Sequence, residues 1–138
     1  MPFMSCQRGS VAVESAFVLP VLVLFVLGIM DTGRLLWTFT TLHGASEAAA
    51  RCGSIPATGT GYDCTTPGGI QNYAVAQAWG LTVATSAFTV SAPSCGTQVA
   101  ASYNFVFVIP WFYIAPPLGT SNSITLTATA CYPTVLSP

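Results

Sequence analysis

A chain of 138 residues predicts one domain rather than two. It is 52% hydrophobic and only 5% charged, with a formal net charge of -1, whereas soluble globular domains carry about a quarter charged residues, so the chain is membrane-attached or buried in an assembly. Its three basic and four acidic residues all lie at or before Asp63, which argues against a nucleic-acid partner, because phosphate neutralisation needs clustered Lys and Arg, and against disorder, which needs low hydrophobicity and high charge.

The first predicted element is an apolar helix. Ser10 to Met30 is interrupted by one charge, Glu14, and has about the ~20 residues needed to cross a bilayer core. Pro20 lies inside it, which a membrane helix tolerates as a local kink. A cleaved secretory signal would need small residues at a cut site after the core, and Met30-Asp-Thr-Gly-Arg-Leu-Leu is a poor one. A lipoprotein signal at Cys6 lacks a preceding apolar core. A plain uncleaved anchor leaves Glu14 unexplained, since a carboxylate within the membrane costs about 2.5–3.5 kcal/mol at the helix centre and less near an end.

Gly9-Ser-Val-Ala-Val-Glu14 before a long apolar helix resembles a type IV prepilin processing site. The likeness continues through Phe17-Val-Leu-Pro20, Gly28-Ile-Met-Asp31-Thr-Gly33-Arg34 and Ala45 to Arg51, and the whole pattern resembles the TadE-like family, small pseudopilins of tight-adherence pilus systems. The resemblance implies several things. A prepilin peptidase would cut between Gly9 and Ser10, separating a leader over 1–9. Its further partners would be other pilins or pseudopilins, the inner-membrane pilus assembly machinery and membrane lipid. The chain would sit in a bacterial inner membrane with a cytoplasmic N-terminus and a periplasmic C-terminal domain, or in an extracellular pilus. Ser15 stands where major pilins of this type have an aromatic residue, which points to a minor component rather than the shaft subunit. After cutting, Ser10 would carry a new amine, and Glu14 is its candidate partner on a neighbouring subunit. Glu14 as an ordinary carboxylate facing headgroups is the competing reading.

Beyond the apolar stretch the helix is expected to continue to Cys52, for a total of about 65 Å at about 1.5 Å per residue. Asp31 and Arg34 are spaced to pair on one face, and so are Glu47 and Arg51. Trp37 suits the headgroup level. Leu35, Phe39, Leu42, Ala45, Ala49 and Cys52 form an amphipathic stripe. Gly53-Ser-Ile-Pro56 stops the helix, and 53–69 reads as a loop. A short helix is expected over Gly69–Trp79, closed by Gly80.

The apolar period then changes to two. Phe88–Ala92, Thr97–Val108 and Ser123–Tyr132 read as strands, the last alternating Ile124, Leu126, Ala128, Ala130 and Tyr132 against Ser123, Thr125, Thr127, Thr129 and Cys131. This predicts an α+β fold, a long helix over 10–52 covering the apolar face of a small antiparallel sheet within a domain over 53–138.

Of the five cysteines, Cys6 precedes Gly9. Cys52, Cys64, Cys95 and Cys131 allow three pairings. If the second and third strands are antiparallel neighbours, Cys131 falls near Cys95, leaving Cys52 for Cys64. No CxxC or Cys/His spacing suits zinc. Neither a catalytic set nor a cofactor motif is expected, because His43 is the one histidine and no acid follows Asp63. Trp111, Phe112 and Tyr113, in Ile109–Pro117, read equally as an exposed contact patch or a loop folded onto its own core. The sequence therefore predicts a minor pseudopilin or pilus-assembly component acting by subunit packing. An uncleaved membrane-anchored binding or adhesin-like domain is the alternative.

Overall fold

The computed structural model describes residues 8–55, 61–109 and 122–134. Helix α1 runs over Arg8–Ser54, helix α2 over Pro67–Gln77, and strands β1, β2 and β3 over Phe88–Ser91, Thr97–Val106 and Ser123–Tyr132. At 47 residues α1 passes through Pro20 without ending and is about 70 Å long at the usual rise. Its two halves differ in what they touch. Residues 12–30 are mostly exposed, whereas buried positions begin at Asp31 and recur to Ser54.

The buried stripe of α1 is Asp31, Thr38, Leu42, Ala45, Ala49 and Cys52. Thr38, not Phe39, fills the inward position below Leu42. Its hydroxyl donates to the Arg34 carbonyl at 2.8 Å, so it enters the interface with its donor satisfied. Phe39 is displaced to the exposed edge at 42% exposure.

The sheet has the order β1-β2-β3, with both pairs antiparallel. The register sets Val99 opposite both Val90 and Ala130, and Ala101 opposite Phe88 and Ala128. Alternation therefore puts the apolar set on one face. That face meets α1 and α2 in a core around Leu42, Phe88 and Val99. Thr66 caps α2 by accepting the Gly69 N–H at 3.2 Å, and Pro67 follows where no N–H is needed.

β2 runs back along α1. At its start, Thr97 pairs with Tyr132, whose carbonyl accepts from the Ser54 hydroxyl at 3.0 Å. At its far end the chain reaches Asp31. The β1–β2 connection is close-packed. Gly96 has φ +121°, and a Cβ there would run into the Tyr132 carbonyl oxygen. The structure joins Cys52 to Cys64 and Cys95 to Cys131, with Cα separations of 5.4 and 6.3 Å. The first clips the chain after α1 to the end of that helix, and the second ties the β1–β2 connection to the end of β3.

Candidate functional site

The functional candidates lie along α1. Glu14 is exposed, in a shallow groove with Ser15, Val18, Leu19 and Leu22. It is the one formal charge between Arg8 and Asp31. Gly9 and Ser10 lie within the helical span. A larger groove of about 740 Å³ follows, lined by Val21, Leu24, Phe25, Gly28, Ile29, Gly33 and Leu36, with Ile109 at its end. Phe25, Ile29 and Leu36 on this face are exposed.

Asp31 marks the change of environment. It is 1% exposed, yet its carboxylate is well supplied with donors. Oδ1 accepts the Arg34 guanidinium at 3.2 Å, and both oxygens accept the Val108 N–H at 3.1 Å. Oδ2 also accepts the Ile109 N–H at 2.9 Å. A buried carboxylate is stable only when compensated in this way. The spacing of Asp31 and Arg34 foretold their pairing but not the two backbone donors, which are more than 70 residues away. Beyond Val106 the Phe107 N–H still bonds to the Asn122 carbonyl, whereas the Val108 and Ile109 N–H groups go to Asp31. Arg34 stays half-exposed, with its guanidinium 5.4 Å over the Phe105 ring.

The hairpin closes at the same level. The Phe107 N–H donates to the Asn122 carbonyl at 3.0 Å, and Asn122 Nδ2 donates to the Phe107 carbonyl at 2.6 Å. The chain thus leaves and re-enters this end of the domain beside Asp31. Trp111, Phe112 and Tyr113 lie outside the described residues.

The expected Glu47–Arg51 pair is not the one formed. Arg51 Nε donates to the Tyr132 hydroxyl at 2.6 Å and the guanidinium sits 4.9 Å over that ring. Glu47 turns to His43 Nδ1 at 3.3 Å. An aromatic acceptor on β3 holds Arg51 by stacking as well as by hydrogen bonding, which an exposed i,i+4 pair worth a few tenths of a kcal/mol does not match. His43 is a surface residue of α1. Asp63, fully exposed, takes the Thr65 hydroxyl at 2.5 Å and the Thr65 N–H at 3.0 Å, and these bonds, the hydroxyl first, hold its carboxyl below the ordinary value. Among the described residues no three His, Cys, Asp or Glu side chains gather as metal ligands would.

Length and composition make α1 able to cross a membrane, and none of its most apolar window is buried. Residues 9–51 match the TadE-like protein family. The TadE-like match covers just under a third of the chain and lies entirely within α1, ending one residue before Cys52. It suggests a structural role in tight-adherence pilus assembly, in association with pilus-assembly components. Together with the apolar helix it fits a membrane-anchored protein. No curated protein and no solved structure matches the chain.

Proposed function

We propose that the chain is a minor pseudopilin of a tight-adherence pilus system, cut by a prepilin peptidase between Gly9 and Ser10 and acting by packing against other pilin-type helices. Residues 1–9 form the leader, 10–52 the helix and 53–138 the domain beyond the membrane. The observation that carries this reading is the TadE-like match on a helix whose apolar half is exposed and holds one carboxylate, Glu14. An isolated chain leaves that half without partners, so lipid or neighbouring helices must cover it. The apolar groove from Val21 to Leu36 supports helix packing in particular.

Cutting before Ser10 creates an amine that did not exist in the precursor. Glu14 of one subunit then neutralises the amine of another in the water-poor bundle, which sets the register between subunits. Removing one partner of a buried ion pair costs about 3–5 kcal/mol. Glu14→Ala is therefore expected to insert and form both disulfides, yet to disappear from the cross-linked, pilus-associated fraction. Recovery of the variant there at the level of the parent protein would reduce Glu14 to an interfacial carboxylate.

A further inference from the structure

The end of the domain beside Asp31 carries large apolar side chains that are exposed among the described residues. Trp37 is 61% exposed on α1, Trp79 72% after α2, and Val108 63% beyond β2. Val106 and Ile124, at the end of β2 and the start of β3, are exposed too. They belong to four separate stretches of chain at the Asp31 end of the domain. Gly80 places its backbone against Trp37, a Cβ there lying 3.8 Å from the indole nitrogen, and Trp79 is the residue before it in the chain. Val108 is held at Asp31 by its own N–H.

We infer that this rim rests on the bilayer, so that the domain is seated in the headgroup layer rather than carried clear of it on a stalk. The inference rests on the reading that α1 spans the membrane. If the apolar core ends at Met30, Asp31 stands at the hydrocarbon boundary. Trp37 is then about 9 Å further along the helix axis, and Val106 stands about 7 Å back along its strand from Val108. The polar layer on each side of the hydrocarbon is about 5–7 Å deep, and helix tilt of about 20° lowers these heights slightly. Val108, level with Asp31, therefore falls at the hydrocarbon boundary, and Trp37 and Val106 fall at the outer edge of the headgroup layer, where Trp side chains are favoured. The one charge of the domain over 53–138 is Asp63, next to Cys64, which is tied to Cys52 in the last turn of α1, away from Asp31. The one cation at this level, Arg34, is half-exposed in a groove between Trp37, Leu81 and Phe105, suitably placed for a lipid phosphate.

The full chain in phospholipid vesicles provides the test. Its three tryptophans are Trp37, Trp79 and Trp111. Variants keeping only Trp37 or only Trp79, with phenylalanine at the other positions, are read with lipids carrying a quencher near the glycerol backbone. Emission from Trp79 should be lost to that quencher and resist aqueous iodide. Free quenching of Trp79 by iodide would overturn the inference. So would a Trp79 shielded from both quenchers, which would mean that a second protein surface covers it. Trp37 distinguishes the rim from the membrane helix. If Trp37 is quenched by lipid while Trp79 is not, the rim fails and the membrane helix stands. If neither is quenched and the protein does not float with the vesicles, the membrane reading itself fails. Should Trp111→Phe impair folding, the difference between the parent chain and Trp79→Phe reports the same depth.

Discussion

Replacing Asp31 with alanine should separate the sheet from the helix at one end without dismantling the core. The carboxylate accepts two backbone N–H groups, from Val108 and Ile109 at 2.9–3.1 Å, in a position that is 1% exposed. Hydrogen bonds to a charged group contribute about 1.5–3 kcal/mol each, and a buried donor left unpaired costs about 1–3 kcal/mol. The two donors share one acceptor group and are not additive, so the expected loss is about 3–5 kcal/mol, a large share of a stability of about 5–15 kcal/mol. The Arg34 contact, at 3.2 Å to a half-exposed guanidinium, should contribute under about 1 kcal/mol. Urea unfolding in detergent micelles gives the totals for Asp31→Ala and Arg34→Ala. Amide exchange gives the location. Protection at Val108 and Ile109 should collapse while Val99 and Ala101, deep in the sheet, stay protected. A loss below about 0.5 kcal/mol, within the range of ordinary surface substitutions, would refute the reasoning. Equal losses for Asp31→Ala and Arg34→Ala would do the same, since the local ion pair would then be the real contact.

Gly96→Ala meets two obstacles, the φ of +121° and the Tyr132 carbonyl oxygen, and should cost at least about 1–3 kcal/mol of backbone strain, visible as a lowered melting temperature; an unchanged one would show that the turn has another conformation. Asp63 has a lowered carboxyl pKa when folded, so its contribution is complete above about pH 4, the unfolded carboxylate range, and fades as pH falls through the lower folded value. Thermal melts from pH 6 down to pH 2 should show the parent losing this increment and Asp63→Asn lacking it; parallel curves for both proteins would contradict the assignment.

Periodicity made the sheet readable. Strict alternation from Ser123 to Tyr132 marks β3 over the residues it occupies, because one face packs on α1 and the other on solvent. The same alternation in β2, read with strand order, brings Cys95 near Cys131. What could not be read were contacts in which a distant partner outcompetes a local one. Asp31 and Arg34 look complete as a pair three residues apart, so nothing in their spacing calls for Val108 and Ile109. Arg51 has a well-placed Glu47 one turn earlier, yet Tyr132 offers a ring and a hydroxyl together. Thr38 was hidden by its polarity, since its hydroxyl is satisfied within its own helix and its methyl is free to pack. The candidate site divides the same way. The apolar helix with Gly9 and Glu14 is written in composition and order, whereas the rim of Trp37, Trp79 and Val108 exists only once the strands are laid back along α1.

The proposed function requires that this helix be a cut prepilin-type segment. Mass spectrometry of the N-terminus of the protein recovered from membranes of a host with an active prepilin peptidase tests it most directly. A mature chain beginning at Ser10 is expected, with accumulation of the longer form when Gly9 is replaced by a bulky residue. A chain that still begins at Met1 in that host would contradict it and leave an uncleaved membrane anchor in its place.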